Sequence, residues 1–596
     1  MTNHRFWLVA ILLVASPLLA QDDDDEQPPG LRARYTVGTV SVERIDSDIA
    51  FPWGDTVPDE RLPPGKFHAQ WMGSLLLRSE EKHQFHAFVQ GRLKLIVNGQ
   101  VVLEGATDSP QWISGPETAL PFGDQSFDLT FERTGDAAHL KLYWSSAEFP
   151  LEPVPYHVLF QTKPSPELSL IEQGRIEYEA FRCGNCHAGP SKKTGTASSN
   201  MPAPALDHVG QGTRRDWLIR KLTQSADATA DPATDHGKMP HFGFAPADAE
   251  AIVAVLTTKA ISVDLTSPAK LKDSERDKDR QAGSTLIRSV GCLACHQWNK
   301  LGETTPFGGG SLDDLGQKRT YDWVNSWLAN PAKVNAQHRM PIVTLTDKER
   351  LQIALALTGT TSPPAVASPP AASDAVLARG TRLIESARCA SCHELPKLNV
   401  VTSHLPSLIG AKVDWERGCL QKPDREKSRP SFPSAHGNAL KAYLASWTVV
   451  PVANEVPASA LDGRRILQRK NCVACHDRDA TRGIVRLAAA IAKTDEALSG
   501  QHMTLIPPRL NAVGDRMHDT GLAEAIRGEQ KTPRLNWLRV RMPKFAHSAQ
   551  EQQSLLTHLI GHDRIPAAGP AQKTPVIAKS ADPQRLLAGR ELLGGK

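Results

Sequence analysis

Apolar and polar positions change rhythm about one quarter of the way along the chain. Between residues 34 and 162 they alternate. Phe127-Asp-Leu-Thr-Phe131 and Leu140-Lys-Leu-Tyr143 put every second side chain on one face, the period of a half-buried strand. Arg92-Leu-Lys-Leu-Ile-Val97 runs into Asn98-Gly99 and then Gln100-Val-Val-Leu103. That order predicts a hairpin, because Asn-Gly readily supplies the two left-handed residues of a tight turn. Beyond residue 166 the spacing turns helical and the pattern recurs four times. A glycine (Gly174, Gly283, Gly380, Gly463) is followed by apolar residues at helical spacing, such as Ile287, Leu383 with Ile384, and Ile466 with Leu467. Short loops ending in leucine come next: Pro204-Ala-Leu206, Gly310-Ser-Leu312, Pro406-Ser-Leu408 and Pro508-Arg-Leu510. Each is followed by another glycine (Gly210, Gly316, Gly410, Gly514). Three copies then carry a helix with tryptophan (Trp217-Leu218, Trp323-Val324, Trp415-Glu416), and apolar helices over 249–256, 349–357, 439–447 and 551–560 close the units. The expected fold is multidomain: an all-β sandwich followed by four all-α units in tandem.

Chemistry sits at one fixed place in the repeat. Nine residues after each first glycine stands a cysteine, with a second cysteine three residues on and a histidine directly after it. The copies are Cys183/Cys186/His187, Cys292/Cys295/His296, Cys389/Cys392/His393 and Cys472/Cys475/His476. Cys-x-x-Cys-His is the attachment signal of c-type haem. Two thiols about one helical turn apart each add to a vinyl group of one porphyrin, and the adjacent imidazole becomes the proximal iron ligand. Zinc ribbons place their paired halves about 15–20 residues apart, far closer than these pairs, and a redox dithiol needs no histidine. Eight of the 9 cysteines belong to the motifs, leaving Cys419.

The order of elements resembles the class I cytochrome c domain over roughly 167–562, in units at 167–260, 278–360, 374–450 and 457–563. The resemblance implies three main helices around one haem, with the first-helix glycine letting the last helix pack close. It also implies a loop-proline carbonyl that orients the proximal histidine, although Gly310 replaces that proline in the second copy. A distal methionine is implied by Met239-Pro240, Met340-Pro341 and Met542-Pro543, with Phe242 and Phe545 completing Met-Pro-x-Phe. A thioether ligand raises the potential and suits electron transfer. Met201-Pro202 precedes the loop and stands at the wrong place. In the third copy Arg429-Pro430-Ser431-Phe432 aligns with Met542-Pro543-Lys544-Phe545, and arginine makes no iron ligand. His436, His404 or Cys419 is then the sixth ligand, or the third iron is open to a small molecule or peroxide.

In the front segment, Trp71-x-Gly73, the Leu93 to Gly99 strand and turn, and Leu142-Tyr143-Trp144 resemble the protective-antigen-type β-sandwich. Glycan-binding members of that family hold calcium through an Asp-Asp pair. Val89-Gln90-Gly91 stands here instead, so calcium is not expected. Docking to a glycan, a surface or a protein partner is the role the resemblance implies.

Composition bears on the compartment. A short basic start, an apolar run from Phe6 to Leu19 and Ala20 read as a signal peptide over 1–20, followed by an acidic, flexible stretch over 21–33. No later run reaches the roughly 18 apolar residues of a membrane span, so no integral segment is expected after cleavage. A net charge of +4 over 596 residues gives no ground for nucleic-acid binding. Polar or Pro/Ala-rich stretches at 264–281, 361–373 and 564–580 predict linkers separating the haem units like beads. Residues 581–596 restart the repeat, as though a fifth unit began there. The expected protein is an exported, periplasmic or cell-surface bacterial cytochrome with four covalent haems, passing single electrons between redox partner proteins. Two alternatives stand beside it: a haem enzyme or sensor built on the third haem, and a surface-binding electron acceptor for a sugar or alcohol dehydrogenase.

Overall fold

The computed structural model describes residues 27–187, 203–223, 239–263, 265, 271–359, 371–395, 437–447, 460–529, 537–567 and 569, with 398, 405, 408, 415, 419, 420, 431 and 432 between them. The predicted signal peptide, Met201, His404, Arg429, His436 and the 581–596 stretch lie outside these residues.

The front segment is one sheet of 11 strands: β1 (Leu31–Val37), β2 (Val40–Asp46), β3 (Ala50–Gly54), β4 (His68–Leu77), β5 (Lys82–Val97), β6 (Gln100–Ser114), β7 (Thr118–Ala119), β8 (Gly123–Glu132), β9 (Ala138–Ser146), β10 (Glu152–Pro153) and β11 (Leu159–Phe160). The main path runs β10-β9-β5-β8-β4-β1-β2. The expected all-β domain is present, its two layers formed by a single curled sheet. The cause is β5, whose residues 83–90 pair with β9 while residues 92–97 pair with β8. Gly91 stands between the halves at φ 132°, a left-handed conformation that favours glycine. The predicted hairpin is present: Val97 pairs with Gln100 across Asn98 (φ 51°) and Gly99 (φ 73°).

Alternate side chains of these strands enclose an aromatic core of Tyr35, Trp53, Phe67, Trp71 and Phe131. Its two buried polar tips share one acceptor. The Tyr35 hydroxyl and the Trp71 indole donate to Asp46 Oδ2 at 2.5 and 2.9 Å. Gly73 is required because a Cβ there would collide with the Phe160 carbonyl of β11.

In the helical region each repeat opens with a leading helix: Pro166–Ala180, Arg276–Ser289, Asp374–Ser386 and Ala460–Arg469. Closing helices are Pro246–Thr258, Asp347–Thr358, Gly437–Ala445 and Ala549–Asp563. Thr346 and Ser548 start two of them with capping boxes to Glu349 and Glu551. In the second and fourth repeats the leading helix packs on its own closing helix. The first and third do otherwise. Pro166–Ala180 packs on Gly437–Ala445, and Asp374–Ser386 packs on Pro246–Thr258. Units at 167–260 and 374–450 are therefore not separate beads but two halves exchanged.

The bead arrangement is corrected elsewhere as well. The predicted linker at 264–281 already contains the start of the second leading helix at Arg276. A helix not expected from the repeat, Val485–Lys493, lies between the fourth motif and its loop. Its Ala488 and Ile491 share a core with Ile287, Val324 and Leu355 of the second repeat, and Thr285 Oγ1 donates to Asp495 at 2.7 Å. Among the described residues no helix is long and apolar enough to cross a membrane.

The β domain is docked on the helices through charge. Glu60 accepts from the Tyr443 hydroxyl at 3.2 Å and from Arg465 at 2.9 Å. His562 bridges Asp48 (3.2 Å) and Asp563 (2.9 Å), and Arg478 also holds Asp563 at 2.8 Å. Burial disfavours the imidazolium and Arg478 repels it, but the two carboxylates outweigh both and raise His562 to about 9. A histidine raised in the folded state adds stability that is complete below its unfolded value near ~6.5 and vanishes as pH passes the folded value. Stability should therefore fall by on the order of 2 kcal/mol as pH rises through about 9, and His562→Gln should flatten that decline. Thermal unfolding followed from about pH 7 to about pH 10, across the folded value, measures both.

Candidate functional site

The four Cys-x-x-Cys-His segments adopt one backbone turn. The residue before each first cysteine is left-handed: Arg182 (φ 61°), Gly291 (φ 111°), Arg388 (φ 57°) and Asn471 (φ 60°). Each histidine N–H then donates to the first cysteine's carbonyl, at 3.0, 3.0, 2.9 and 3.0 Å in chain order. All nine cysteines are free thiols, so none of the Cys-x-x-Cys pairs is closed as a disulfide. Burial pushes the Cys292, Cys389 and Cys472 thiols up to about 12.

Three of the motif histidines are oriented by a loop carbonyl. His296 Nδ1 meets Gly310 O at 2.8 Å, His476 Nδ1 meets Pro508 O at 2.7 Å, and His393 Nδ1 meets Pro204 O at 2.6 Å. A carbonyl only accepts, so Nδ1 carries the hydrogen and Nε2 keeps the lone pair. In the second repeat Gly310 supplies the carbonyl that proline supplies elsewhere, because the bond is made by the backbone. A Cβ on the neighbouring Gly309 would strike the His296 ring. Two thiols, a neutral imidazole aimed by its Nδ1 bond, and a glycine cradle fit a covalently attached haem.

The second bond of the loop repeats too. Leu312 N donates to Gln297 O, and Leu510 N to Asp477 O, both at 2.9 Å and both within one repeat. Leu206 N instead donates to Glu394 O at 3.1 Å, from the first repeat to the third. Reciprocally, Leu405 N donates to Cys186 O at 2.7 Å. Met239 shares a core with Cys389, Leu383, Leu218 and Phe242. It was expected beside His187; the exchange of halves places it with the third motif. Around the first motif lie Phe432, with its ring 5.1 Å from that of Phe181, and Tyr443, 5.7 Å from Tyr178.

The second repeat keeps its own methionine. Met340 Sδ accepts from Trp327 Nε1 at 3.0 Å and packs in the cluster that holds Cys292 and Cys295. Met542 is 47% exposed. The residues just after Pro341, Pro543, Pro240 and Pro430 meet in pairs as antiparallel bridges, Ile342 with Lys544 and His241 with Ser431. In each of the first three bridge residues named, methionine stands two positions earlier; before Ser431 the sequence has Arg429. Cys419 is half-buried, burial raises its thiol, and its carbonyl accepts from Phe432 N at 2.8 Å. Motifs also adjoin in pairs: the Cys186 and Cys392 thiols hydrogen-bond each other, and Asn471 Nδ2 donates to Cys295 Sγ at 3.2 Å.

In the β domain, Gln90 Nε2 donates to the Asp108 carbonyl at 3.0 Å. Asp48, Asp479 and His562 form the one cluster of three or more candidate metal-ligating groups among the described residues. Its His562 is engaged by Asp48 and Asp563.

The N-terminal domain is a PA14 domain: residues 26–130 match the family model of that description. A curated relative, the anti-sigma-I factor RsgI3 of Acetivibrio thermocellus, is 30% identical over 120 residues, 20% of this chain and 18% of that protein. The chain thus spans less than a fifth of that relative. A solved anti-sigma factor domain-containing protein is 27% identical, with TM-score 0.21, over 23% of this chain and 48% of its own. The PA14 sugar-binding domain from an RTX adhesin is 15% identical, with TM-score 0.20, over 22% of this chain and 99% of its own.

Helix contact at the repeat glycines sets the whole site. A Cβ on Gly283 would collide with the Gln352 backbone carbonyl, whereas one on Gly310 would meet open space. Gly283→Val should cost about 3 kcal/mol, and Gly310→Ala no more than about 0.5 kcal/mol, in denaturant unfolding of the full chain.

Proposed function

We propose that this protein is an exported multihaem c-type cytochrome that carries single electrons through four covalently attached haems. The observation that carries the reading is the fourfold turn, with left-handed residue, paired free thiols and histidine on one backbone course. The loop carbonyls of Gly310, Pro508 and Pro204 add to it by fixing the tautomers of His296, His476 and His393. A bound haem supplies reversible one-electron oxidation and reduction. The chain's share is different. The cysteines attach the porphyrin, His187, His296, His393 and His476 hold the proximal side, and Met239, Met340 and Met542 supply thioether ligands. Apolar side chains such as Ile287, Ile384 and Leu467 wall off water. Electron donor and acceptor are redox proteins, and the PA14 domain docks the chain to a glycan or a surface partner.

A second reading has one observation in its favour. Ser431, which bridges His241, comes two residues after Arg429 in the sequence, whereas His241, Ile342 and Lys544 each come two residues after a methionine. One haem then lacks a thioether and offers an open iron, as in a small-ligand sensor or a peroxidase. The first reading makes the protein an electron carrier rather than a catalyst, and the second makes it a haem enzyme or sensor.

Matured protein should give four haems per chain by pyridine haemochrome and an intact mass above that of its amino acids by four porphyrins. Cys472→Ala with Cys475→Ala should lower the count by one. Colourless protein of bare polypeptide mass overturns the reading. For the docking role, retention of the full chain on polysaccharide should persist in a chelator, since Gln90 offers no carboxylate for calcium. Loss of retention on chelation would instead show a metal-dependent glycan site.

A further inference from the structure

The exchange of halves reassigns the axial ligands. We propose that Met239 is the distal ligand of the haem attached at Cys389, Cys392 and His393, and that the haem without a methionine is the one attached at Cys183, Cys186 and His187. The inference rests on the covalent-haem reading above. Chain order assigns the opposite, giving Met239 to His187 and leaving the His393 haem open.

Four contacts carry it, the first three matched by both undivided repeats and the fourth by the second repeat. First, the leading-helix glycine marks the closing helix it serves. A Cβ on Gly283 or Gly463 would strike the closing helix of the same repeat, at Gln352 or at Ser554 and His558. A Cβ on Gly380 would strike Ala251 of the first repeat, and one on Gly174 would strike Ala439 of the third. Second, the carbonyl that orients the imidazole comes from the same half as the methionine. Gly310 precedes Met340 and Pro508 precedes Met542 in their own repeats, while Pro204, which holds His393, precedes Met239. Third, the loop leucine follows the same rule, with Leu206 bonded to Glu394 directly after His393, as Leu312 is bonded to Gln297 after His296. Fourth, Met239 packs in the cluster containing Cys389, as Met340 packs in that containing Cys292 and Cys295.

The reassignment moves the open site next to the PA14 domain. The closing helix that serves His187 carries Tyr443, whose hydroxyl donates to Glu60, and is followed by Ser446, which accepts from Arg61 at 3.1 Å. A small ligand bound at the methionine-free haem would sit in the unit that touches the docking domain.

The test uses full-length matured protein with ¹³C-methyl methionine. Reduced protein should show three strongly upfield-shifted methionine methyls, the mark of thioether–iron ligation. Met239→Ala identifies one of them, and in wild-type protein that methyl should give cross-peaks to the haem of His393. Removing the third attachment by Cys389→Ala with Cys392→Ala should abolish that signal. Removing the first by Cys183→Ala with Cys186→Ala should leave all three and eliminate carbon monoxide binding, expected at one per chain in wild type. Cross-peaks to the His187 haem, or loss of the Met239 methyl on removing the first attachment, overturn the proposal. The cross-peaks decide it even if a cysteine variant matures poorly. A haemochrome count of zero would instead sink the cytochrome reading itself.

Discussion

The helical region depends on two helices crossing at a glycine without a side chain between them. Wherever the leading helix meets a closing helix, the glycine's missing Cβ is the space the other backbone occupies, at Gly174, Gly283, Gly380 and Gly463 alike. Close-packed backbones leave no slack, so each crossing fixes where the following cysteine turn projects. That turn in turn sets its histidine against a loop carbonyl. One steric requirement therefore propagates to the ring nitrogen that would meet a metal.

The same requirement explains why halves can be exchanged. The glycine interface is generic: small residue on one side, carbonyl and apolar side chains on the other. A leading helix recognises the shape of a closing helix rather than its place in the chain. Repeats one and three satisfy it reciprocally, and repeats two and four each internally. Both pairs nevertheless present the same antiparallel bridge at the residue after the repeat's proline, His241 with Ser431 and Ile342 with Lys544. The helical region is better described as two paired modules than as a string of four beads.

Contacts between the modules and the PA14 domain are of another kind. The β domain closes its own aromatic core around Asp46 and meets the helices through ion pairs and hydrogen bonds centred on Glu60, Asp48 and His562. Such polar seams are held by geometry more than by apolar burial. They tie the β domain to Tyr443 on the third closing helix and to Arg465 and His562 of the fourth repeat.

Much of this was legible in the sequence because it follows from local spacing. Alternation at 127–131 and 140–143 gave strands, Asn98-Gly99 gave the turn, and the glycine-to-cysteine interval gave the helices and their Cys-x-x-Cys-His turns. The helix at Val485–Lys493 was missed because it has no counterpart in the other repeats, although Leu487, Ala488, Ile491 and Ala492 carry helical spacing. Gly91 could not be interpreted from sequence: its φ matters only because β5 must leave one layer and join the other. Residue types and intervals determined which groups exist, the four thiol pairs, their histidines and the methionines. The tertiary structure alone decided which closing half serves which Cys-x-x-Cys-His turn, because a closing helix can be shared across the chain wherever the crossing fits, and no local pattern records that choice.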